Sequence, residues 1–131
     1  MDELIARVTG ALGIDAGVAQ QAIGLVLSFL QKQAPEAEFG KIIEALPGAQ
    51  DAMDVAPSEA GGGLMGALGG LMGGGGAGGL MGLAGQLQGL GLGMTDIQGL
   101  GEQFFTYAKE QAGEETVQQV ASKIPGLDRF I

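Results

Sequence analysis

Residues 22–30 read AIGLVLSFL, and only Gly24 and Ser28 in this segment are not apolar. Apolar residues at spacings of three and four predict a helix here, and Asp15 is placed to cap its N-terminus. The segment is apolar nearly all round the helix rather than along one stripe. We therefore expect this helix to lie either at the centre of its own core or buried against another chain.

Apolar stripes of ordinary width lie on both sides of this segment. Upstream, residues 4–12 have apolar side chains at helical spacing, and Gly13 is expected to end that helix. Downstream, Pro35 suits the first turn of a helix, a third stripe runs over residues 39–46, and Pro47-Gly48 ends it. The first part of the chain therefore predicts about three helices.

The same pattern recurs 78 residues later. Residues 2–53 align without a gap on residues 80–131, so that Pro47-Gly48 falls on Pro125-Gly126. Strand signals are nearly absent because the period-two alternation of apolar residues is missing.

The second copy carries its own helix signals. Thr95 and Gln98 have the spacing of a capping box. Gly113 is expected to end the helix that follows, and Glu114 and Glu115 suit the start of the next helix.

We predict an all-α fold of two pseudo-symmetric units of about three helices each, at residues 2–53 and 80–131. Residues 54–79 are assigned to a glycine-rich connection between them. In a chain of 131 residues each unit is too small to be secure alone, so the units are expected to pack as one bundle in one compact domain.

The middle of the chain allows three interpretations. Residues 60–95 contain no charged residue and are mostly Gly, Leu and Met. Residues 61–79 form a flexible linker, or residues 63–72 form a short helix packed in the core or in a self-association interface. The third interpretation is a membrane contact, for which the uncharged run of residues 60–95 is long enough. Few large apolar side chains and no aromatic or basic anchors argue against a membrane span.

Composition excludes several kinds of site. Six basic and fifteen acidic residues give a net charge of −9, which opposes binding to phosphate backbones, so we expect no nucleic-acid partner. The chain lacks Cys and His, which removes thiolate ligands and the usual general base. We expect no enzymatic activity, no metal and no cofactor. Acidic residues at the start, where a secretory signal carries Lys or Arg, predict a cytoplasmic protein.

The stretch from Leu80 to Ile124 includes the motifs Leu90-Gly91-Leu92, Met94-Thr95-Asp96-Ile97, Phe104-Phe105-Thr106-Tyr107 and Gly113-Glu114-Glu115. With these motifs and its Gly/Leu-rich middle, the chain resembles the bacterial VcgC/VcgE-like proteins of unknown function. The resemblance implies a small helical bacterial protein without an assigned activity, and it supplies no functional residues.

We predict a non-catalytic protein-interaction or self-assembly module, whose partner is a further copy of the chain in a homo-oligomer or another protein. The alternative is a peripheral membrane or lipid-binding protein that uses the Gly/Leu/Met-rich segment. The candidate interaction surface comprises Ile23, Val26, Leu27, Leu30, Leu64, Leu68, Leu71 and Met72.

Overall fold

The computed structural model describes residues 2–55 and 76–124, without the side chains of residues 55 and 76–81. All regular secondary structure in these ranges is helical, which confirms the predicted all-α class. The helices are α1 (Asp2–Leu12), α2 (Ala16–Gln33), α3 (Glu36–Ala45), α4 (Ala49–Val55), α5 (Gly76–Gly89), α6 (Met94–Ala112) and α7 (Glu114–Lys123).

Helix α1 ends where the sequence predicts. Gly13 has a φ of +67°, and its N–H donates to the carbonyl of Thr9 at 2.8 Å. Glycine enters this left-handed region without the steric penalty that a Cβ atom brings. The chain can therefore leave α1 sharply and begin α2 three residues later.

Replacing Gly13 by alanine is expected to lower the free energy of unfolding by about 1–2 kcal/mol, because alanine is strained at positive φ. Gly10 is the matched control: it lies inside α1, and a Cβ atom there would meet nothing within 4 Å. Gly10→Ala is expected to stabilise the protein by up to about 1 kcal/mol through helix propensity. Urea unfolding followed by circular dichroism measures both changes. Equal changes of the same sign in the free energy of unfolding would contradict the conclusion that Gly13 ends α1 through its positive φ.

The starts of the two long helices differ from the predicted caps. Asp15 is the N-cap residue of α2, as predicted, but its side chain makes no capping hydrogen bond. The predicted capping box of Thr95 and Gln98 is wrong. Helix α6 already begins after Gly93, whose N–H donates to Asp96 Oδ2 at 3.1 Å. Thr95 therefore lies inside the first helical turn, where it cannot act as the N-cap.

Two further differences concern the helices beside the glycine-rich segment. Helix α4 is not predicted by the sequence pattern, since its buried side chains Ala49 and Ala52 are too small to form a visible apolar stripe. Helix α5 begins at Gly76, within the residues assigned to the connection.

Helix α2 is central in the described fold. Helices α1, α4 and α5 pack on it, and it also contacts α3 and α6. Helix α6 is the second packing centre, because α1, α3, α5 and α7 contact it. The core between these helices contains no buried polar or charged side chain among the described residues. The hydrophobic effect therefore holds these helices together without buried ion pairs or buried hydrogen-bonded side chains.

Candidate interaction surface

Four of the predicted interaction residues lie in α2, and all four are buried within the chain itself. Their exposed fractions are 0% for Ile23, Leu27 and Leu30 and 6% for Val26. In this conformation they offer no free surface to a partner. The remaining predicted residues, Leu64, Leu68, Leu71 and Met72, lie outside the described residues.

The wide apolar surface of α2 is covered by helices from both the N-terminal and the C-terminal part of the chain. For clarity we call α1–α4 the first half and α5–α7 the second half. Helices α1 and α4 cover α2 from its own half, whereas α5 reaches it from the other half. The excess of apolar side chains in residues 22–30 is therefore used partly within a half and partly between halves.

An apolar cavity lies at the junction of the halves. It has a volume of about 50 Å³ and is partly open to solvent. The first half lines it with Val26, Phe29 and Leu30, and the second half with Leu83, Ala84, Leu87, Ile97, Leu100, Gly101 and Phe105. Two of the predicted residues, Val26 and Leu30, thus lie at one apolar site, whereas Ile23 and Leu27 do not line it.

The chemistry of this cavity follows from its walls. All of its lining side chains are aliphatic or aromatic, so they present no proton donor, nucleophile or metal ligand. Such a site can accommodate only an apolar group. The sequence shows that the cavity-lining residues of α5 and α6 have helical spacing, but no local sequence pattern predicts that they face Val26.

Another contact between the halves joins α1 to α6 at very short range. A Cβ atom built on Gly99 would lie only 2.6 Å from Leu12 Cδ2 and 3.8 Å from Leu12 Cγ. The absence of a side chain at Gly99 therefore allows Leu12 to pack directly on the α6 backbone.

Arg7 links α1 to α6 at the edge of the same contact. Its guanidinium donates to Glu110 Oε2 at 2.7 Å and to Glu3 Oε1 at 2.8 Å. The guanidinium carbon lies 5.6 Å from the ring centroid of Tyr107. The hydrogen bonds to Glu110 and then Glu3 raise the pKa of Arg7 above its usual value, so the group stays charged at every ordinary pH. The Glu3 pair lies within α1, and only the Glu110 pair joins the two helices. Because these groups are partly exposed, both pairs contribute little stability.

Two pairs of glutamates near helix starts, Glu36 with Glu38 and Glu114 with Glu115, do not line the cavity. Glu36 and Glu38 lie in the first turn of α3, and Glu114 and Glu115 in the first turn of α7, where they suit the helix dipole. Within residues 2–55 and 76–124, no three acidic side chains come close enough together to hold a metal ion.

None of the described helices is by itself both long and apolar enough to cross a bilayer. Helices α1 and α2 satisfy both criteria only as a pair, and they meet at a bend of 111°.

The fold and the site together define an all-α protein in which two helical halves meet through an apolar junction. A comparison of the chain with protein-family models finds no match, and neither do comparisons with curated proteins and with solved structures. The resemblance to the VcgC/VcgE-like proteins stays a prediction.

Proposed function

We propose that this chain is a non-catalytic self-assembly module that acts through the apolar junction between its halves. The observation that carries the proposal is the junction itself. It combines a partly open cavity with walls from both halves, and its side chains provide apolar contact without reactive groups. Apolar area of this kind favours association by its removal from water.

We further propose that the halves are pseudo-symmetric units of one bundle. Helices α2 and α6 begin 78 residues apart, at Ala16 and Met94, and α3 and α7 are separated by the same interval at both ends. Gly13 and Gly91, which follow the first helix of each half, both have positive φ. These coincidences support a common plan for the two halves.

Assembly through the apolar junction is expected to depend on salt concentration. Each copy carries a net charge of −9, so two copies repel one another at low ionic strength. Added salt screens this repulsion and does not weaken apolar contact. We therefore expect the molar mass, measured by sedimentation of protein refolded at each concentration, to rise above 13.1 kDa as the refolding concentration increases, and to rise further in high salt.

A variant with one charge fewer provides the matched control for the salt effect. Glu115 is exposed at the start of α7, away from the cavity. Glu115→Gln is expected to strengthen association slightly at low salt and to have no effect at high salt. A mass of one chain at every concentration and salt level would refute self-assembly. Association that weakens with salt would show ionic contacts in place of the apolar junction.

Lipid binding through the Gly/Leu/Met-rich segment is the alternative function. A chain that remains monomeric but floats with neutral vesicles would favour it.

A further inference from the structure

The first two helices of each half are packed reciprocally, and α3 of the first half also packs on α6 and α7 of the second. Helix α1 of the first half packs against α6 of the second, and α5 of the second half packs against α2 of the first. Each half therefore covers the second helix of the other half with its own first helix. Neither half has enough chain to build a secure core alone, so each needs the other for its apolar faces.

From this packing we infer that the self-association partner is a second copy of the chain, and that the copies exchange halves. The inference rests on the proposed self-assembly function and names its partner and contact. In the exchanged dimer, α1 of one copy packs on α6 of the other, and α5 packs on α2 in return. The buried residues Val26 and Leu30 then lie at a contact between chains, although they are covered in a single chain.

The free energy of exchange is small because the contacts within one chain and between two chains are the same. The same helix pairs form within one chain and between two chains, so their packing energies cancel in the comparison. What remains is the effective concentration of a tethered half, which is on the order of millimolar for a short connection. Exchange is therefore expected when the protein refolds at high concentration, and closed single chains when it refolds at low concentration.

The contact between Leu12 and Gly99 supplies a direct test. The chain has no cysteine, so any disulfide must come from introduced residues. Replacing Leu12 removes the atom that a side chain at Gly99 would meet. A sulfur in the place of Leu12 Cγ would lie 3.8 Å from the Cβ position of residue 99, so a small shift allows two cysteines to bond. In Leu12→Cys/Gly99→Cys, the disulfide shows whether α1 packs on α6 of the same chain or on α6 of another chain.

The experiment refolds this variant over a range of protein concentrations, oxidises it and separates the products without reductant. We expect an intrachain disulfide after dilute refolding and a disulfide-linked dimer whose share grows with concentration. The matched control is Ala11→Cys/Gln98→Cys, which moves each thiol to the exposed neighbouring residue. Linked dimer that grows with concentration in the test variant but not in the control would support exchange.

Two results would overturn the inference. One is an intrachain disulfide at every concentration, and the other is an equal yield of linked dimer in the control, which would show random collision. An assembled mass with an intrachain disulfide would leave self-assembly standing while rejecting exchange, whereas monomers throughout would reject both. If the variant fails to fold, unmodified light and isotope-labelled chains refolded together give the same answer by native mass spectrometry. Mixed dimers that form only on joint refolding support exchange, and their absence at high concentration rejects it.

Discussion

Substitution of Leu27 by glutamate is expected to unfold the protein. Leu27 has no exposed surface, and the described core contains no polar or charged side chain that could pair with a carboxylate. Burying an unpaired charge costs several kcal/mol, a large fraction of the roughly 5–15 kcal/mol by which a domain is stable. We expect loss of the helical circular dichroism signal at room temperature, or a urea midpoint too low to define a folded baseline.

Gln31→Glu is the matched control for this prediction. It introduces the same residue into the same helix at an exposed position, and we expect it to change the free energy of unfolding by less than about 1 kcal/mol. The comparison also separates two roles for α2. If Leu27→Glu remained as stable as the original protein and lost only its assembly, Leu27 would be an interface residue and not a core residue.

Truncation of Phe104 to alanine is expected to have the second largest effect. Phe104 is the largest fully buried side chain in the described core, with 0% exposure. Its ring meets that of Phe105 edge to face, with the centroids 5.2 Å apart. Removing a buried phenylalanine ring costs about 3–5 kcal/mol through lost apolar burial and the cavity left behind.

Urea denaturation at several temperatures measures this loss, with Met94→Ala as the comparison. Met94 is 64% exposed on the same helix, so its truncation is expected to change the free energy of unfolding by less than about 0.5 kcal/mol. Equal urea midpoints for the two variants would mean that α6 does not bury Phe104 as described.

The parts of the fold that sequence predicts well are determined by local chemistry. Gly13 and Gly113 follow α1 and α6 at the predicted ends because each occupies a backbone conformation that other residues avoid. The apolar character of residues 22–30 predicts a helix that is either central in its own core or buried against another chain, since such a surface is costly to leave in water; the structure has it central.

The remaining features depend on contacts between distant residues. Helix α4 is stabilised because its small alanines pack on α2. Alanines produce no clear apolar periodicity in the sequence, so the pattern does not predict this helix. The start of α6 is a local exception: the Gly93 N–H donates to the Asp96 carboxylate three residues on, and this cap lies before the predicted one at Thr95. The cavity depends on which faces of α2, α5 and α6 meet, so the sequence indicates Val26 and Leu30 but not the residues opposite them.

The position of Tyr107 gives the protein a built-in optical reporter. The chain has one tyrosine and no tryptophan, so its near-ultraviolet signal is dominated by a single ring beside five weakly absorbing phenylalanines. That ring is 5% exposed and lies under Arg7 where α1 crosses onto α6. Tyrosine emission and ellipticity therefore follow the separation of these two helices directly, without a dye or an engineered chromophore.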